Sequence, residues 1–125
     1  MIQLIEGLPD AVVGIEAVGQ VESADYEAVA RPAVKRALER HPKIRLVHVF
    51  DDRFIGYTAG GAWQDAMLGL ANAHSFERIA VVTDSENIRR LVKRAGWSLP
   101  CELKLFPNRE RGQAEAWASE GLDAR

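Results

Sequence analysis

Three aspartates stand directly after apolar runs. Asp51 and Asp52 follow Ile44-Arg-Leu-Val-His-Val-Phe50, and Asp84 follows Ile79-Ala-Val-Val-Thr83. Carboxylates gathered at adjacent strand ends would suit a hard cation such as Mg²⁺, or a general acid-base pair. Aspartates at strand ends more commonly cap the helix or loop that follows, and that is the role expected here, with no metal assigned. Between the two runs, Phe54-Ile-Gly-Tyr-Thr-Ala-Gly-Gly61 leads into a helical pattern. Gly60 and Gly61 let backbone N–H groups approach an anion, and a helix N-terminus favours negative charge. Thr58 therefore marks a place for a phosphate or an anionic ligand; in the plainer role these residues are a cap and two turn glycines. Phe54, Tyr57, Trp63 and Trp97 offer aromatic surface of the kind that walls a small apolar ligand, although Trp63 also fits a helical core stripe.

Other chemistries lack their residues. No Gly-x4-Gly-Lys-Ser/Thr string is present, so a nucleotide P-loop is not expected. His41, His48 and His74 have no metal-ligand spacing, and none is paired in sequence with a nucleophile. Cys101 is the single cysteine, which excludes an intrachain disulfide and a cysteine-based metal site. No catalytic motif and no cofactor motif is found, and the chain reads as non-enzymatic.

The elements that must position these residues are legible from periodicity. Residues 2–6 and 12–21 read as strands, with Gly7-Leu8-Pro9-Asp10 as the turn between them. In the second, Val13, Ile15, Ala17 and Val21 share one face, with Glu16 and Gln20 opposite. Tyr26, Val29, Ala30, Ala33, Val34, Ala37 and Leu38 form an unbroken helical stripe, with Ser23 as its N-cap. Pro32 removes a backbone donor inside that stripe, so a kink is expected near residues 28–32. Ile44–Phe50 is the third strand, ending at Asp51-Asp52, with a loop from Arg53 to Gly61. Ala62, Trp63, Ala66, Met67, Leu70 and Ala71 give a second helix. Ile79–Thr83 reads as a central strand covered on both faces. Asp84 or Ser85 caps a third helix with stripe Ile88, Leu91, Val92 and Ala95, stopped at Gly96. Residues 101–106 are the last strand, and residues 110–119 the last helix, with Ala114, Trp117 and Ala118 inward.

The order β-β-α-β-α-β-α-β-α implies an α/β fold with a five-stranded mixed sheet, parallel after the opening hairpin, and helices packed on it. In such sheets functional groups gather outside the carboxyl ends of the parallel strands. That places Asp51, Asp52, Phe54, Tyr57, Thr58, Gly60, Gly61, Trp63 and Asp84 at one rim. The 125 residues suit one domain over 1–125, and 47% hydrophobic with 27% charged residues suits a packed core. A net charge of −2 gives no field for capturing nucleic acid. The basic groups Arg89, Arg90, Lys93, Arg94 and Arg109, Arg111 read as a solvated helix face and a loop. No apolar run is long enough to span a bilayer, and Met1–Glu6 lacks the form of a signal peptide, so the expected location is cytoplasmic.

The strings Ile5-Glu-Gly-Leu-Pro-Asp10 opening into Val13-Gly-Ile-Glu16, Asp25-Tyr26, Pro32-Ala-Val34, Ala62-Trp63 with Asp65, and Arg78-Ile-Ala-Val-Val-Thr-Asp84 run in order along nearly the whole chain. Together they resemble the SpoIIAA-like family of small bacterial proteins, which belongs with the STAS domains and is also described as CRAL-TRIO-like. The STAS anti-sigma-factor antagonists carry a phosphorylatable Ser or Thr at the start of the second helix. The resemblance thus implies a regulatory or protein-interaction domain with Thr58 as the switch in a loop over residues 52–61. Here no acid directly precedes Thr58. The CRAL-TRIO likeness implies, as the alternative, binding of a small hydrophobic or anionic, lipid-like ligand. A protein partner of unknown identity, or a homodimer, is compatible with either.

Overall fold

The computed structural model describes residues 1–57, 73–96 and 101–122. Its strands are β1 (Ile2–Leu4), β2 (Val12–Val21), β3 (Ile44–Tyr57), β4 (Phe76–Val82) and β5 (Glu102–Phe106). They lie in sequence order in one sheet; β1 is antiparallel to β2, and every later pair is parallel. This is the five-stranded mixed α/β sheet expected from the pattern. The second helical stripe, Ala62 to Ala71, falls outside the described residues, as do Thr58, Gly60, Gly61, Trp63 and Trp97.

Helices cover both faces. On one, Tyr26, Ala30, Val34 and Ala37 with Ile88 and Val92 of α3 (Glu86–Gly96) pack on Ile15, Leu46, Phe50, Ile79 and Val81. On the other, Ala114 and Ala118 of α4 (Arg111–Ala118) pack on Val12, Val47, Val49, Ala80, Val82 and Phe106. Because β3 and β4 are sandwiched, both parities of their apolar runs are buried, which is why neither run alternates with polar residues. No helix among the described residues is long and apolar enough to cross a membrane.

Pro32 acts as its chemistry requires. The helix begins as α1 (Ser23–Asp25), widens into a π turn over Tyr26–Ala30, and continues as α2 (Arg31–Arg40) with proline in its first turn. The Arg31 N–H donates to the Tyr26 carbonyl, an i→i+5 bond that absorbs the donor proline lacks. The N-cap is Glu22 rather than Ser23: the Glu22 N–H donates to the Asp25 carboxylate at 2.8 Å.

The largest departure from the sequence pattern is the length of β3. The expected loop over 52–61 is strand as far as Tyr57, because the second half of β2 supplies a ladder for it: Gly19 pairs with Phe54, Gln20 with Gly56 and Val21 with Tyr57. Register shifts around Gly19 let the ribbons stay paired, and Gly19 (φ 65°) and Gly56 (φ 148°) adopt backbone angles that a side chain would oppose. The last pair between β3 and β4 is Val49 with Val82, so β3 overhangs β4.

A close approach fixes the hairpin. A Cβ on Gly14 would stand 2.6 Å from Leu8 Cδ1 and 2.8 Å from Ile5 Cβ. Gly14→Ala is therefore expected to destabilise by about 1–3 kcal/mol through overpacking. Gly112→Ala, in the first turn of α4 with open space around it, should stabilise by a few tenths to about 1 kcal/mol. Thermal melts of the two variants moving in the same direction would contradict this packing.

Candidate functional site

The parallel pairing of β3, β4 and β5 sets their carboxyl ends on one rim, and a single residue ties the three together. Asn108 follows Pro107 at the exit of β5; its backbone N–H donates to Asp84 Oδ1 at 2.9 Å. Its Nδ2 donates to Asp52 Oδ1 at 2.7 Å and to the Phe50 carbonyl at 3.2 Å. Asp84 thus holds the β5 exit, while Ser85 caps α3: Ser85 Oγ accepts from the Ile88 N–H at 3.4 Å. Thr83 is buried, and its Oγ1 accepts from the Ser85 N–H at 3.0 Å.

Asp51 goes elsewhere. Its carboxylate accepts from the Arg53 backbone N–H and from Arg53 Nε, each at 2.8 Å. Glu16 lies beside it on β2, and Arg111 Nη1 donates to Glu16 Oε2 at 3.1 Å. Arg53, followed by the neighbouring Glu16, holds the Asp51 carboxyl well below the usual carboxylate range. Burial, then the bond to Asp51, pushes the Glu16 carboxyl up. The three strand-end aspartates do not meet: Asp52 and Asp84 share Asn108, and Asp51 joins Glu16, Arg53 and Arg111. No group of three metal-type ligands occurs among the described residues.

Behind the rim runs a chain of aromatic groups. The Tyr26 hydroxyl lies 2.9 Å from His48 Nε2 and 2.9 Å from the Tyr57 hydroxyl. His48 stacks on Phe50 with centroids 4.3 Å apart and planes 7° apart. Phe54 meets Phe50 and Tyr57 edge-on, at 4.9 Å and 5.5 Å. His48 is fully buried between Ile15 of β2 and Val81 of β4, and burial lowers its pKa to about 3. Burial also raises both phenols above the usual tyrosine range. Each group in this chain is neutral near pH 7, a state suited to packing and positioning rather than to proton transfer.

Phe54 and Tyr57, expected at the rim, are there and half-buried, their rings used against Phe50 and each other. Ile55, between them, is 76% exposed. Tyr26, His48, Glu16, Arg111 and Asn108 were not marked by the sequence pattern. For the first two a signal existed: Tyr26 opens the helical stripe, and His48 shares strand parity with Leu46 and Phe50, so two polar groups were bound to face one core. Asn108 carried no signal beyond its place after Pro107.

This architecture defines an α/β domain with a parallel exit rim held by side-chain clasps. Residues 12–119 match the SpoIIAA-like family model, and the chain belongs to that family. It is similar to a crystal structure of an uncharacterized protein of the DUF3478 family, with a SpoIIAA-like fold, from Shewanella loihica PV-4. The identity is 26%, covering 94% of this chain and 92% of that one, with a TM-score of 0.67. No curated protein matches the chain.

Proposed function

We propose that this chain is a non-enzymatic regulatory or protein-interaction domain, resembling the STAS anti-sigma-factor antagonists, whose partner binds at the exit rim of β3. The observation that carries the reading is Ile55, 76% exposed on the overhang of β3 between half-buried Phe54 and Tyr57. A large aliphatic side chain left in water at the end of a clasped rim gains about 1.5–3 kcal/mol when a partner covers it fully. The family supplies the context. Thr58, the next residue in sequence after β3, is the candidate switch: a phosphate on it would add about −1.5 to −2 charge.

Affinity capture with wild type, Ile55→Asp and Thr58→Asp tests this, with each bound protein then measured by titration. Wild type should retain a partner that Ile55→Asp loses, and Thr58→Asp should change its affinity by about tenfold or more, roughly the 1.4 kcal/mol expected of a new charge at an interface. The same partner held equally by all three proteins would remove both the surface and the switch.

A further inference from the structure

The far edge of the sheet carries a second surface, independent of the rim. β5 is the last strand and pairs only with β4, so the outer side of its backbone has no ladder partner among the described residues. Leu103 and Leu105 are half-buried on the face shared with α3, and with Cys101, Gly96 and Lys93 they line an open groove of about 660 Å³. Lys93 gives the groove wall a positive charge, and α3 carries more beside it. Arg90, Lys93 and Arg94 are exposed along α3, and none has an ion-pair partner among the described residues. Elsewhere Arg31, Arg40, Arg45, Arg53, Arg78 and Arg111 each reach a carboxylate. On the opposite face of β5, Lys104 is exposed above the rings of Phe106 and Trp117, at 5.4 and 5.7 Å. The strand's acid, Glu102, is engaged by Arg78 at 3.3 Å.

We propose that this edge docks an acidic segment of another protein as an added strand in which acidic and apolar residues alternate. The outer side of the β5 backbone supplies the ladder, and alternate side chains of an added strand fall on opposite faces. Apolar positions then lie over Leu103 and Leu105 in the groove walled by Lys93, and acidic positions meet Lys104 on the opposite face. A second copy of this chain fits worse, because pairing β5 with itself brings two unneutralised basic helices together. Lysine on a short edge strand is also a common guard against self-pairing.

The test is fluorescence polarisation with a labelled eight-residue peptide of alternating Glu and Val. Its controls are a Lys/Val peptide and a Glu/Val peptide N-methylated at every second amide. Wild type should bind the Glu/Val peptide, and raising salt should weaken it. N-methylation, or the double change Lys93→Glu with Lys104→Glu, should each weaken binding tenfold or more. Ile55→Asp, at the other surface, should leave it unchanged, so failure here is separable from failure at the rim. Both sets of substitutions are on exposed side chains, and circular dichroism checks their folding. The proposal is overturned if the Glu/Val peptide does not bind, if the Lys/Val peptide binds as well, or if light scattering shows a wild-type dimer that the double variant abolishes.

Discussion

Lowering the pH from 6.5 to 5 is expected to destabilise the wild-type protein by roughly 2 kcal/mol through one side chain, His48, and His48→Leu should remove that loss. The imidazole is fully buried, with Ile15 and Val81 as its strand neighbours and Phe50 stacked on its face. Its hydrogen-bond partner, Tyr26, is a neutral phenol. Burial outweighs the Val49 backbone contact that favours the charged form, and lowers the pKa from 6.5 to about 3. The sign follows directly. The folded pKa lies below the unfolded one, so the unfolded chain takes up the proton first, and stability is full above about pH 6.5. It then falls as the pH drops towards 3, by about 1.4 kcal/mol per unit. The window from 6.5 to 5 is chosen because the carboxylates have barely begun to titrate there. Urea titrations of both proteins at several pH values isolate His48, because other groups cancel in the difference. His48→Leu leaves the bond between Tyr26 and Tyr57 in place, so the variant should still fold at pH 7.5. Parallel pH curves for the two proteins would mean that the imidazole is charged or solvated in the fold.

The order of strands and helices was legible because it rests on local signals. Ile44–Phe50 and Ile79–Thr83 are unbroken β-prone runs, and the stripe from Tyr26 to Leu38 keeps helical period across Pro32. Even the irregularity at Pro32 could be placed, since a missing donor has to be absorbed within one turn of the ring. The overhang of β3 was not legible. Asp51-Asp52-Arg53 ends the apolar run, and what keeps those residues extended is pairing with β2, a partner more than thirty positions away in sequence. Tertiary pairing overrode a local stop signal.

That one misread boundary also governs the aspartates. In a loop, neighbouring carboxylates can converge; in a strand, adjacent side chains must point to opposite faces. Once β3 continues past Phe50, Asp51 and Asp52 are obliged to separate, and they do, one towards Glu16 and Arg53 and the other towards Asn108. Asp84 was placed correctly at the shared rim, since the parallel register of β3 and β4 follows from the order of elements. Its role in gripping the β5 exit depends on Asn108, a contact across 24 positions that no pattern along the chain encodes.

Phe50→Ala should cost about 3–5 kcal/mol, among the largest losses available from a single truncation in this protein. Phe50 is 2% exposed, sits opposite Ala17 on β2, and touches three other rings. Ala17 is small and fully buried, so the void left by the phenyl group has no side chain opposite that can swing in to fill it. The loss therefore combines the transfer of the ring with a cavity that collapses poorly. Phe50→Leu restores much of the volume and should lose less, about 1–2 kcal/mol, while forfeiting the stacking on His48. Phe54→Ala provides the contrast: Phe54 is half-buried on the overhang and should lose less than Phe50→Ala by at least 1 kcal/mol. Equilibrium denaturation of the three variants gives the ranking. If Phe54→Ala were as damaging as Phe50→Ala, the overhang would be part of the folding core, and the rim could not offer Phe54, Ile55 and Tyr57 to a partner without unfolding. If the ranking holds, Phe50 anchors the rim from below and leaves the side chains beyond it available for binding.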